Sequence, residues 1–142
     1  MKQNYLFILI LIFGFTGCKK DSGSESVTIK YEIVSSSPFK DLNISGTVFP
    51  AITVVYVNES GQQQTEQINS TALTWSKTIQ LSTIQRPIPI TFYTSTYTSN
   101  TSGSGIIRIY INGTLKSFLN CSITQNISGV GSFGGQVRYD LY

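Results

Sequence analysis

From residue 27 onward, apolar and polar side chains alternate with period two. Val27, Ile29, Tyr31 and Ile33 fall on one face, and Thr28, Lys30 and Glu32 on the other, as in a strand with one buried side. Equivalent runs cover residues 52–57, 75–81, 88–97, 106–111, 115–123 and 136–141; a weaker one covers 42–49, and 62–68 is polar enough for a sheet edge. Turn-forming residues separate them: Ser37-Pro38, Asn58-Glu59-Ser60-Gly61, residues 98–105, Asn112-Gly113 and residues 128–135. Beyond the N-terminal segment, no stretch of ten residues has helical apolar spacing. The pattern predicts one all-β domain over residues 27–142, an immunoglobulin- or transthyretin-like antiparallel β-sandwich of about seven to nine strands.

The Asn112-Gly113 turn allows a sharper expectation. With those two residues alone as the loop, Ile111 faces Thr114 and Ile109 faces Lys116, and the apolar sides of the two strands disagree. A one-residue slip inverts every side chain, so burial decides the register. The sequence predicts a three-residue loop, residues 111–113, with Gly113 left-handed in a bulge. Ile109 is then opposite Leu115, and Ile107 opposite Ser117 with Leu119 flanking.

The N-terminal segment breaks the alternation. Lys2 supplies one positive charge, and residues 5–13 form an unbroken apolar run that Phe15 extends past Gly14. The run ends abruptly in Gly17-Cys18-Lys19-Lys20, too soon for a membrane span of roughly 20 residues. Phe15-Thr16-Gly17-Cys18 resembles the lipobox of bacterial lipoproteins, with Phe15 in place of the usual Leu. The resemblance implies that residues 1–17 are a cleaved signal peptide and that Cys18 carries the lipid. An uncleaved anchor or an ordinary secretory signal is the competing reading. Two acyl chains already anchor a protein stably.

Residues 18–26 then form the lipidated cysteine and a polar tether. Its eight residues 19–26 have an r.m.s. span of roughly 16 Å and a maximum of about 29 Å, which holds the domain close to its membrane. Lys19 and Lys20 each add about 1 kcal/mol against anionic headgroups if they reach them. Lys19 stands where lipoproteins retained in the inner membrane often carry Asp, and this resemblance points to the outer membrane.

Charge is sparse, with 17 of 142 residues ionic and a formal net charge of +3, so the chain lacks the basic footprint of nucleic-acid binding. If Cys18 carries lipid, Cys121 has no partner within the chain. It reads as a buried thiol, with an intermolecular disulfide as the alternative.

Four segments resemble the MmpS family of small membrane-anchored envelope proteins: Tyr31-Glu32-Ile33, Ala51-Ile52-Thr53 leading to Tyr56, Leu73-Thr74-Trp75-Ser76, and residues 108–113. Their order and spacing match across most of residues 27–120. The resemblance implies a β-sandwich behind an N-terminal anchor, acting as an accessory to RND-type exporters of lipids or siderophores. The chain departs from the family in its lipobox, in Thr74 where a Pro is common, in Ile107 where the family has a cysteine, and in a longer insertion between Ile33 and Ala51.

Candidate catalytic chemistry is thin. The chain has no His, which removes Ser-His-Asp and Cys-His arrangements and imidazole metal ligands. Asp21 and Glu25 fall in the tether, and Glu32, Asp41, Glu59, Glu66 and Asp140 are scattered. The expectation is a non-enzymatic protein with no cofactor. Residues 129–134 match Gly-x-Gly-x-x-Gly, but a strand rather than a helix follows, so they read as a flexible connection and not a dinucleotide site. Trp75 reads as core, with a ligand platform as the alternative.

The pleat supplies better binding candidates. With Ile88, Ile90 and Phe92 inward, Tyr93 and Tyr97 face outward; with Ile107 and Ile109 inward, Arg108 and Tyr110 face outward. A patch of Tyr93, Tyr97, Arg108 and Tyr110 suits a sugar ring or a partner protein. Ordinary cross-strand aromatic pairing is the competing reading. The sequence therefore predicts a lipid-anchored envelope lipoprotein, an MmpS-like accessory module in a membrane complex or, alternatively, a surface glycan-binding or adhesive module.

Overall fold

The computed structural model describes residues 26–82, 87–126 and 128–142. Residues 1–17, Cys18 and the tether as far as residue 25 lie outside the described residues. Ten strands and no helix occur among those described: β1 (Val27–Ser35), β2 (Leu42–Ile44), β3 (Thr47–Phe49), β4 (Ile52–Val57), β5 (Gln63–Ile68), β6 (Thr74–Leu81), β7 (Ile88–Thr98), β8 (Gly103–Ile111), β9 (Thr114–Gln125) and β10 (Gly131–Leu141).

Eight strands form one antiparallel sheet in the order β5-β4-β7-β10-β9-β8-β1-β6, and β2 and β3 form a separate hairpin. The sheet is curled, because β1 and β4 are remote in that order yet their side chains meet. The Tyr31 ring lies 5.4 Å from Tyr56 and 5.0 Å from Phe92 of β7, and Trp75 of β6 stacks on Phe92 at 6.0 Å. Tyr31 Oη donates to the Val57 carbonyl at 2.9 Å. Among the described residues, β9 and β10 are joined through Gly131 with Gln125 and Ser132 with Thr124.

The alternation of β1 is realised residue for residue: Val27, Ile29, Tyr31, Ile33 and Ser35 are buried and the intervening residues half-buried. With Ile52, Val54, Ile90, Ile107 and Ile109, the four apolar residues Val27, Ile29, Tyr31 and Ile33 build the core between the two halves of the sheet. Each fully buried aliphatic side chain contributes about 1.5–3 kcal/mol relative to exposure. Trp75 is half-buried and packed against this core.

The ten strands exceed the seven to nine expected, because the run over residues 42–49 turns at Ser45-Gly46 and makes two strands, β2 and β3. Two further expectations are corrected. The hairpin loop is the two-residue Asn112-Gly113, both with positive φ (49° and 77°), the geometry of a type I′ turn. Ile111 pairs with Thr114 and Tyr110 with Leu115, after which the register slips so that Ile109 pairs with Ser117 and Ile107 with Leu119. The bulge sits at Lys116, inside β9, rather than at Gly113. Asn112 favours the tight turn and also serves β1, its Oδ1 accepting from Thr28 N at 2.9 Å. Facing agreement is then restored one step further along.

The second correction concerns residues 131–135, expected as a connection but found as the start of β10. These glycines permit close approach within the sheet. A Cβ on Gly131 would strike the Asn100 carbonyl, one on Gly134 would lie 2.5 Å from the Thr94 carbonyl, and one on Gly135 would meet the Leu119 side chain. Gly105, at the start of β8, leaves its space to the Phe133 ring.

Candidate functional site

The structure divides the four surface candidates into two groups. β7 and β8 are separated by β10 and β9 in the strand order, and in a sheet curled over its own core the outer sides of the two halves point away from each other. Tyr93 and Tyr97 therefore occupy one surface, and Arg108 and Tyr110 another.

Arg108 and Tyr110 belong to a polar network centred on Glu32, which pairs with Arg108 across the β1–β8 ladder. Arg108 donates to Glu32 Oε2 at 2.9 Å, Tyr110 Oη to the same oxygen at 3.1 Å, and Lys30 Nζ to Oε1 at 2.6 Å. The Lys30 ammonium also lies 5.4 Å from the Tyr110 ring centroid. The Glu32 side chain is 15% exposed. Burial alone pushes its carboxyl up, but the hydrogen bonds from Lys30, Arg108 and Tyr110 outweigh that and hold it below the ordinary value. Beside Glu32, the Arg108 guanidinium is held more firmly protonated. The donors of this network are directed onto one carboxylate.

Tyr93 and Tyr97 instead line a groove of about 590 Å³. It lies between the outer side of β7, β10 and β9 and the β2–β3 hairpin. Register builds it: Tyr97 pairs with Ser132, and Ser132 with Thr124, so one row of side chains crosses three strands. Two residues along, Ser95 pairs with Gly134, where the Thr94 backbone takes the space of a Cβ and the two strands run close together. Ser122 and Asn126 continue the lining along β9 and just past its end. Tyr93 is 43% exposed and Tyr97 half-buried.

The hairpin wall has its own local logic. Ser45 and Gly46 both have positive φ (50° and 85°), giving a tight turn whose Gly46 N–H donates to Asn43 Oδ1 at 3.2 Å. Leu42 is buried at its base, while Ile44, 43% exposed, faces the groove. Three contacts seat the hairpin: the Phe39–Thr98 bridge, Lys40 N donating to the Tyr97 carbonyl at 3.1 Å, and Ala51 N donating to Asp41 Oδ1 at 2.8 Å.

Ser95, Ser122, Thr124 and Ser132 were not singled out from the sequence. The available signal was the hydroxyls at alternate positions of 122 and 124, on the polar side of β9, but nothing local reveals that β9, β10 and β7 are neighbours. Cys121 is a half-buried free thiol whose Sγ lies 3.6 Å from the Gly134 carbonyl, and burial pushes its pKa up, which disfavours the reactive thiolate. Among the described residues, no group of three or more His, Cys, Asp or Glu is placed to hold a metal ion. No family model matches the chain, and no curated protein matches it.

Proposed function

We propose that this chain is a non-enzymatic lipoprotein of the bacterial cell envelope, tethered through Cys18 to the outer membrane, whose β-sandwich domain binds a glycan. The observation that carries the reading is the groove, in which Tyr93 and Tyr97 share one cavity with Ser95, Ser122, Thr124 and Ser132. A sugar ring offers a C–H face that packs on an aromatic ring, and hydroxyls that need partners able both to donate and to accept. Serine and threonine do both. Concave sites with apolar surface and a few convergent polar groups are where small ligands bind.

Two experiments test it. Replacing Cys18 with Ala should abolish signal processing and palmitate labelling; unchanged labelling refutes the anchor. Substituting Tyr93 and Tyr97 with Ala should abolish retention of the protein on a glycan array while leaving its circular dichroism unchanged. An array on which the wild type finds nothing refutes the glycan.

A second reading, an MmpS-like accessory to an exporter, draws on the places of the resembling segments. Tyr31, Tyr56 and Trp75 converge on the core around Phe92, and Arg108 bonds to Glu32. These residues make a framework rather than a contact surface, so the likeness supports a common domain type more than a common partner. Affinity purification of the lipidated protein from membranes should recover an envelope complex under this reading. Repeated recovery of the protein alone counts against it.

A further inference from the structure

We infer that the groove takes an uncharged glycan chain, and that it is presented at the end of the domain opposite the lipid anchor. The inference deepens the glycan reading above and rests on it.

The first argument is the charge of the lining. Among the described residues, neither Asp, Glu, Lys nor Arg lines the groove. Four of the six basic side chains among the described residues are ion-paired elsewhere, Lys30 and Arg108 to Glu32, Lys77 to Glu66, and Arg138 to Asp140, and neither of the other two, Lys40 and Lys116, lines the groove. A uronate or sulfated chain entering the groove would lose hydration of its anions without the Arg or Lys partners that offset such a loss. Neutral hydroxyls meet no such penalty, because Ser95, Ser122, Thr124, Asn126 and Ser132 supply donors and acceptors of matching strength.

The second argument is length. Tyr93 and Tyr97 are four residues apart on the same side of β7, which separates them by about 13 Å along the strand. That distance spans more than two linked pyranose rings, so the two tyrosines suit rings of one oligosaccharide that are separated by at least one intervening ring, with Ser95 between them. A single sugar would engage one tyrosine and leave the other unused.

The third is placement. β1 starts at Val27, beside Leu81 and the Asn112-Gly113 turn. The antiparallel register puts Ser35, Gly105, Gln125, Gly131 and Thr98 at the other end. The row Tyr97, Ser132 and Thr124 lies at that second end. The nine residues of β1 separate the two ends by about 30 Å. The chain enters the domain at Val27, at the first end, so the row of Tyr97, Ser132 and Thr124 lies on the half of the domain remote from the side on which the tether joins it.

The test uses the full lipidated chain in detergent, run through native gels cast with neutral polysaccharides (a mannan, a β-glucan, a xylan) or acidic ones (alginate, polygalacturonate). Both sets are run at raised salt, because a net charge of +3 retards any cationic protein on a polyanion. Retention is expected on a neutral polymer. The Tyr93→Ala and Tyr97→Ala variants should each weaken it roughly tenfold, about 1.4 kcal/mol, and Tyr93→Phe should weaken it far less. Retention confined to acidic polymers and lost in the tyrosine variants overturns the uncharged ligand while leaving a glycan groove. Retention unaffected by either Ala variant overturns the groove, and no retention on any polymer overturns the glycan reading as well. The same neutral polymer should bind the protein equally well in detergent and in phosphatidylethanolamine–phosphatidylglycerol vesicles. Loss of binding on vesicles overturns the outward placement.

Discussion

Lys77 of β6 and Glu66 of β5 meet across the gap between the two edge strands of the eight-stranded sheet, Nζ to Oε2 at 3.3 Å. Tyr56 Oη donates to the same carboxylate oxygen at 3.0 Å, and the Lys77 ammonium lies 5.8 Å from the Tyr56 ring centroid. The bond to Glu66 raises the Lys77 pKa, keeping the lysine charged. Inward-pointing charge on an edge strand hinders pairing with another chain. Both side chains are partly exposed, so Lys77→Val should alter stability by no more than about 1 kcal/mol. It should nonetheless promote self-association, seen as added mass in sedimentation velocity; a variant that stays as monodisperse as wild type refutes the role.

The Glu32 network makes a pH-dependent contribution of known sign. Its folded pKa is held below the ordinary 4.5, so its stabilisation is fully present above that value and is lost as pH falls through the lower folded pKa. Glu32→Gln should cost about 1–3 kcal/mol at neutral pH, and the gap from wild type should narrow as urea titrations move into acid. A gap that stays constant across that range means the carboxylate charge is not what matters.

Thr94 is fully buried, and its Oγ1 has no hydrogen-bond partner among the described residues. Its neighbours on the same side of β7 are satisfied: Thr96 donates to the Phe133 carbonyl and Thr98 to that of Asn100, both at 2.9 Å. Replacing an unpaired buried hydroxyl with a methyl removes a desolvation penalty. Thr94→Val should therefore be neutral or stabilising by about 1 kcal/mol, with Thr96→Val destabilising in the same thermal melts. The reverse order would show that a hidden partner had been missed.

Lys116 is the extra residue of the β8–β9 ladder. Deleting it leaves Tyr110 opposite Leu115 and Ile109 opposite Ser117 in an uninterrupted register. The deletion should be tolerated, losing little beyond the contact of Lys116 with the Tyr139 ring, 5.8 Å away. Deleting Asn120 instead inverts residues 121–125 and turns Ile123, 4% exposed, toward solvent. Amide exchange or thermal melts should separate the two deletions widely. Equal damage from both would refute the bulge as the device that aligns the two faces.

The bulge also marks how far local pattern reaches. The conflict between the apolar sides of β8 and β9 was legible, and with it the need for a one-residue correction. Its position was not, because Asn112 and Gly113 both accept positive φ and close the turn without help, leaving Lys116 to absorb the slip. The glycines of β10 were misread for a related reason. Turn chemistry and close packing use the same residue type, and only the neighbours Asn100, Thr94 and Leu119 distinguish them. Tyr93 and Tyr97 were legible as outward-facing from the pleat of β7. Their separation from Arg108 and Tyr110 was not, since it depends on two intervening strands.

By itself the sequence determined the all-β character, nearly every strand and the inward side of each, because alternation is a property of consecutive residues and burial rewards only one phase of it. It also marked residues 62–68 as a sheet edge, the place β5 occupies. Tertiary structure alone decided which strands are neighbours, where the sheet curls and which hydroxyls join the two tyrosines in a groove. Those outcomes depend on packing between residues far apart in the chain, such as Tyr31 against Phe92 and Tyr97 beside Ser132, and no local run of side chains encodes them.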